Sequence, residues 1–140
     1  MKILVVDDEL DGLTAIIRAM KGEGHTVQAI SNPYEARDLI GGEQFPFEMA
    51  IIDKTMKPDA AAIPEDEFPE PEDFQRLGLN LVSQICGRAP RCPIIFLSAF
   101  LDAQDRKELS GLENVVVLDK GGVKVDSILK LIRRLRYSLN

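Results

Sequence analysis

The stretch Met49-Ala50-Ile51-Ile52-Asp53 decides how the rest of the chain is read. Four apolar residues with β-branched weight form a short buried strand, and a carboxylate stands where that strand emerges. Three other runs repeat the pattern. Ile3-Leu4-Val5-Val6 stops at Asp7-Asp8, Pro93-Ile94-Ile95-Phe96-Leu97 stops at Ser98, and Val115-Val116-Val117-Leu118 stops at Asp119-Lys120. Buried parallel strands that share a direction place their C-terminal ends on one edge of the sheet, where ligands bind in doubly wound α/β domains. Asp7, Asp8, Asp53, Ser98 and Lys120 are therefore expected in one pocket.

Helical spacing fills the gaps between these runs. Leu10, Leu13, Ile16, Ile17 and Met20 recur on one face, and Gly22 and Gly24 close that helix. Thr26 to Ile30 alternates as a further strand. Ser31 or Asn32 caps a second helix with Pro33 in its first turn, and Gly41-Gly42 ends it. Apolar spacing resumes near Phe74 with Leu77, Leu81, Val82 and Ile85. A polar helix is expected from about Asp102 to Leu109, and a last one from about Val123 to Tyr137 with Val125, Ile128, Leu129, Ile132 and Leu135 on one face. Alternating β and α elements predict one α/β domain over residues 1–140, a five-stranded parallel sheet with helices on both faces.

Composition bounds the function. The chain has 140 residues, 45% apolar and 29% charged, the usage of an ordinary globular domain. No run approaches the roughly 18 apolar residues of a membrane span. Met1-Lys2-Ile3 leads straight into a strand, which reads against an export signal and for a cytoplasmic protein. Cys86 and Cys92 have no metal-like cluster around them and read as reduced thiols. The net charge is −6, and residues 59–76 alone carry that excess, seven acids against Arg76. Global acidity argues against nucleic-acid binding. The bases of Lys124 to Arg136 read first as complements to a helix C-terminus, with a partner surface as the alternative.

Three clustered carboxylates would repel one another, and a hard divalent cation relieves this. Mg²⁺ takes carboxylates, a carbonyl and water, and commonly bridges to phosphate. Lys120 adds a positive charge for a phosphoryl oxygen, and Ser98 a short hydroxyl donor. Such parts suit phosphoryl transfer, in which an Asp carboxylate can itself be the nucleophile. Each residue also has a plainer reading: Asp7, Asp8 or Ser98 as a helix cap, Lys120 as a surface lysine.

Taken together, these positions resemble the CheY-like receiver domains of two-component response regulators over nearly the whole chain. Asp7-Asp8, Asp53, Ser98 and Lys120 each fall on that family's pattern, as do Met56 and Gly78-Leu79-Asn80-Leu81. The resemblance implies a flavodoxin-like sheet of order 2-1-3-4-5. It implies that Asp53 accepts a phosphoryl group from a phosphohistidine on a sensor histidine kinase or phosphotransfer protein. Asp7, Asp8 and Asp53, with the carbonyl of Thr55, would hold Mg²⁺; Ser98 would move to the phosphoryl group and Lys120 pair with it. The chain would then be a switch acting on a downstream protein, not a turnover enzyme, with a homodimer left open. Thr55 and Phe100 occupy positions that tune acyl-phosphate lifetime in the family. His25 reads as a surface or loop histidine, not a phosphorelay one.

Three positions depart from the pattern. Gly121 follows Lys120 where the family has a cis-proline, Val117 stands where it often has Tyr or Phe, and Met56-Lys57-Pro58 replaces Met-Pro. The acidic, Pro-rich stretch 59–76 is an insert beside Asp53. It reads as a long loop, disordered in part, that either screens Asp53, serves a partner or is a dispensable excursion. No output domain follows Asn140, so the expectation is a stand-alone receiver or a piece of a longer protein. Two other readings remain. Asp7-Asp8-Glu9-Leu10-Asp11-Gly12 faintly echoes the opening motif of haloacid-dehalogenase-type phosphohydrolases, with Asp7 as nucleophile, and a phosphorylation-independent binding module would keep the pocket as a vestige.

Overall fold

The computed structural model describes residues 1–138, so Leu139 and Asn140 of the expected domain lie outside the described residues. Five strands appear where the apolar runs lie: β1 (Lys2–Val6), β2 (Thr26–Ile30), β3 (Met49–Asp53), β4 (Ile94–Ser98) and β5 (Val115–Asp119). All neighbours pair in parallel, in the order β2-β1-β3-β4-β5. Every residue of β3 and β4 is buried, because helices cover both faces and neither face can be polar.

The period-two alternation of each strand divides the core. Leu4, Val6, Ala50, Ile52, Ile94 and Phe96 point to one face; there they meet α2 (Pro33–Ile40), α3 (Leu77–Arg88) and Leu109 of α4 (Ala103–Leu109). Ile3, Val5, Ile51, Ile95 and Leu97 point to the other, against α1 (Thr14–Gly22) and α5 (Val125–Ser138). Burying each such aliphatic side chain contributes about 1.5–3 kcal/mol, so this two-sided core dominates the stability of the fold. Arg133 of α5 also pairs with Glu23 at the end of α1, giving one of the terminal bases a structural partner.

Local chemistry sets the helix ends. Asn32 Oδ1 accepts the Tyr34 and Glu35 amides at 2.9 and 3.4 Å, with Pro33 in the first turn of α2. Asp102 and Asp105 cap each other's backbone at the start of α4. The first helix opens with a 3-10 turn, Leu10–Leu13, before α1 proper, and the last begins two residues later than its spacing suggests. Between them, Gly24 turns the chain into β2 at φ +92°. Among the described residues no helix is long and apolar enough to cross a membrane.

The acidic stretch contains two 3-10 turns, Ala60–Ala62 and Pro71–Gln75. Glu67 pairs with Arg37 of α2 at 2.6 Å, Arg76 with Glu108 of α4 at 2.9 Å, and the Met56 amide reaches the Phe74 carbonyl at 3.4 Å. One of its acids, Glu67, is thus paired with a cation of the domain, and its one base with an acid of α4. His25 lies in the loop between α1 and β2, one of the two places its reading allowed, but it is buried, 7% exposed, with Nδ1 3.1 Å from the Met1 ammonium. Burial and that ammonium hold its pKa below the usual histidine value.

Gly78 positions the end of β3. A Cβ there would lie 2.2 Å from the Asp53 carbonyl oxygen and 2.6 Å from the Lys54 Cα, backbone atoms that cannot swing aside. The Gly78 amide also donates to the Lys54 carbonyl at 3.2 Å. Gly78→Ala should therefore cost about 3 kcal/mol by overpacking, read as a lower midpoint in chemical denaturation. Gly87→Ala, with nothing within 4 Å, should cost nothing or add a few tenths of a kcal/mol.

Candidate functional site

The C-terminal ends of β1, β3 and β5 bring Asp7, Asp8, Asp53 and Lys120 together. Asp7 follows β1 directly and is fully buried; its amide donates to the Ile30 carbonyl at 3.2 Å, extending the pairing with β2. Asp53 closes β3 and is 4% exposed. Lys120 reaches across from β5, its Nζ 2.9 Å from Asp7 Oδ2 and 3.2 Å from Asp53 Oδ1. One ligand oxygen from each of Asp7, Asp8 and Asp53 lies within 4.8 Å of the others, the only such group among the described residues.

Each carboxylate is oriented. Asp7 Oδ1 accepts the Glu9 amide at 2.8 Å, so both Asp7 oxygens are engaged. Asp8 Oδ2 accepts the Lys57 amide at 2.8 Å, an interaction that the displaced Pro58 permits, since a proline at Lys57 would offer no N–H. The Asp53 side chain makes its described contact through Oδ1, to Lys120. Gly121 does not disturb this arrangement. No described peptide bond is cis; instead Asp119 Oδ1 accepts the Gly121 amide at 2.9 Å, and a 3-10 turn over Lys120–Gly122 turns the chain.

The electrostatics follow from that crowding. Burial, then the charge of Asp7, pushes the Asp53 carboxyl up to about 7 against the pull of Lys120. Burial would lower Lys120, but its bonds and charge contacts with Asp7 and Asp53 carry it above the usual lysine value. The donor set is all hard oxygen, negative in excess and partly pre-oriented, which fits Mg²⁺ far better than a soft metal.

Ser98 closes β4 at the same edge, but its hydroxyl is committed to its own loop. Oγ donates to the Phe100 carbonyl at 2.7 Å and accepts the Phe100 amide at 3.1 Å. The pocket over Asp53 is lined instead by Thr55 and Phe100, and on the far side by Pro71, Phe74 and Gln75 of the acidic stretch. Phe100 is 73% exposed, so it stands over the pocket instead of packing beneath α4.

Sequence reasoning missed Lys54. Its ammonium is buried and paired with Asp105 of α4 at 2.8 Å, and donates to the Phe100 carbonyl at 3.0 Å. Burial would raise Asp105, but Lys54 and the capping bond to Asp102 hold it below the usual carboxylate range. A lysine following a strand-end Asp carries no signal for a partner so far along the chain. The pairing is a tertiary fact.

No family model matches the chain, and no curated protein matches it. Solved structures do. They include a two-component response regulator from Clostridium difficile, at 14% identity and TM-score 0.75, covering 100% of this chain and 98% of that one. They also include a CheY-like response regulator receiver domain protein from Methanospirillum hungatei JF-1, at 18% identity and TM-score 0.71, covering 97% and 94%. A third is the response regulator protein TrrA from Thermotoga maritima, solved in complex with Mg²⁺ and BeF, at 21% identity and TM-score 0.64, covering 96% and 97%. The chain has the CheY-like, flavodoxin-type receiver fold.

The raised pKa of Asp53 makes stability depend on pH. The unfolded carboxyl titrates near 4, the folded one at about 7, so between these values the folded state binds more protons and stability falls as pH rises. In metal-free buffer, Asp53→Asn should be about 2–4 kcal/mol more stable relative to wild type at pH 7.5 than at pH 4. Paired denaturation curves at the two pH values measure this; parallel curves would refute it.

Proposed function

We propose that the chain is a phosphoacceptor signalling switch in which Asp53 takes a phosphoryl group from a phosphohistidine. The observation that carries this reading is the convergence of Asp7, Asp8 and Asp53 around the Lys120 ammonium at the C-terminal edge of a parallel sheet. Asp7, Asp8 and Asp53, with the Thr55 carbonyl, would hold Mg²⁺. When bound, the ion screens the negative charge on the approaching phosphoryl group.

A carboxylate oxygen of Asp53 attacks phosphorus, the P–N bond to the donor imidazole breaks, and an acyl phosphate forms. Lys120 turns from bridging Asp7 and Asp53 to pairing a phosphoryl oxygen, and Ser98 leaves the Phe100 backbone to donate to another. That rearrangement of the β4–α4 loop is the output, biasing two conformations of the domain toward a downstream protein. The natural donor is a sensor histidine kinase or phosphotransfer protein sharing the cytoplasm with this chain. Nothing in the site calls for nucleic acid or membrane.

The structure bears on the hydrolase alternative as well. A nucleophilic Asp7 would need a free oxygen, yet Lys120 and the Glu9 amide hold both. Asp53 is the better placed nucleophile.

Incubation with acetyl phosphate and Mg²⁺ should add one phosphoryl group by intact mass, mapped to Asp53 by borohydride trapping. Asp53→Asn and chelation should each abolish the adduct, and Lys120→Met should slow its formation about 100-fold. Label on Asp7 would establish the hydrolase instead, and no label would establish the phosphorylation-independent module.

A further inference from the structure

The carbonyl oxygen of Phe100 has two donors. Ser98 Oγ lies 2.7 Å from it and Lys54 Nζ 3.0 Å. The lysine is 10% exposed at its side chain and its partner Asp105 is 6% exposed, with 2.8 Å between charges. Asp105 is fixed in turn, since its carboxylate accepts the Asp102 amide at 3.2 Å in the α4 cap. The Lys54 amide meanwhile donates to the Leu97 carbonyl at 2.9 Å, tying the end of β3 to the end of β4. Both the head and the root of this lysine are therefore anchored around the residue that must move.

A buried lysine is costly to desolvate, and a hydrophobic residue would serve packing alone. What the ammonium adds is a second donor for one carbonyl. When Ser98 Oγ rotates away, the Phe100 carbonyl would lose its closest partner, and an orphaned acceptor shifts an equilibrium by about tenfold against the change. With Lys54 in place the carbonyl stays satisfied. The Phe100 amide, released by the same rotation, belongs to a residue 73% exposed and can turn to water.

Resting on the phosphoacceptor reading above, we propose that Lys54, held by Asp105, is a positioning residue for phosphoryl acceptance: it retains the Phe100 carbonyl so that the Ser98 hydroxyl is free to leave. Lys54 borders the Asp53 pocket, but its ammonium is committed to the Phe100 carbonyl and Asp105, so it acts through Ser98.

The test is a cycle of four proteins: wild type, Lys54→Met/Asp105→Asn, Ser98→Ala, and all three substitutions together. The paired change removes both buried charges and keeps an acceptor for the Asp102 amide. Initial rates of Asp53 phosphorylation by acetyl phosphate with Mg²⁺ are read for each. The paired change should slow uptake about tenfold in the presence of Ser98 and leave the rate unchanged in the presence of Ser98→Ala. An equal loss in both backgrounds, or no loss in either, overturns the proposal. Mg²⁺ affinity should be unaltered throughout.

A second measurement uses the wild type and survives any folding defect in the variants. On adding Mg²⁺ and beryllofluoride, the Phe100 amide resonance should shift while the Lys54 Nζ–H resonance keeps its protection. Loss of that protection overturns the proposal. Wild type that takes up no label at all refutes the phosphoacceptor reading and this inference with it, whereas labelled wild type with an uncoupled cycle refutes this inference alone.

Discussion

Two buried carboxylates beside a single ammonium are the constraint on which this molecule turns. Asp7 and Asp53 are almost wholly withdrawn from water, where a carboxylate without a hydrogen-bonding or charged partner is costly to bury. Lys120 supplies the charged partner from the end of β5, two strands from β3 and three from β1. For that to happen the ends of β1, β3 and β5 must lie level, which parallel pairing in register enforces. Val6 stands opposite Ile52, Ile52 opposite Phe96, and Phe96 opposite Val117. The two-sided aliphatic core fixes that register, because a slip of one residue would turn every side chain to the wrong face.

The same logic explains how the chain tolerates its departures from the receiver pattern. Lys120 needs a turn that sends its side chain back over Asp7, and the Asp119 carboxylate bonded to the Gly121 amide provides one. Asp8 needs an anchor, and moving the proline from 57 to 58 leaves the Lys57 amide free to be it. Val117 is different. It is 38% exposed and borders a cavity with Ser98, Leu101 and Leu109, so the place of the family's aromatic side chain is left open and not filled by another group. Under the proposed function, a change at this face would be carried by the β4–α4 loop.

What could be read from the residue order was whatever depends on short-range pattern. Unbroken apolar runs ended by Asp7, Asp53, Ser98 and Asp119-Lys120 are the signal of buried strands with a polar stop, and that is enough to put four strand ends on one edge. Asn32 before Pro33 marked a helix start for the same reason. Contacts made by long side chains across the sequence were not legible. Lys54 meets Asp105 and Phe100, and Ser98 folds back on its own loop, because of how β3 and β4 are juxtaposed, which no periodicity encodes. His25 is a loop residue, as its place before β2 suggested, but its burial was not legible, because the contact of its ring with Met1 joins residues 24 apart. Nor did the composition of residues 59–76 reveal that Pro71, Phe74 and Gln75 would wall the Asp53 pocket.

Charge balance connects these parts. Three carboxylates against one ammonium leave the ionised site with an excess of two negative charges, which a divalent cation cancels and a lone lysine does not. Near neutral pH the metal-free site relieves part of that excess by keeping a proton on Asp53. If Asp53 holds a cation as proposed, proton and cation would compete for the same carboxylate, and only the second would leave a nucleophile behind. On the proposed reading, Asp7 and Asp53 would share their charge with a bound cation, and Lys120 would then be free to pair with a phosphoryl oxygen. Under the proposed function, one binding event would make the Asp53 carboxylate reactive and release Lys120.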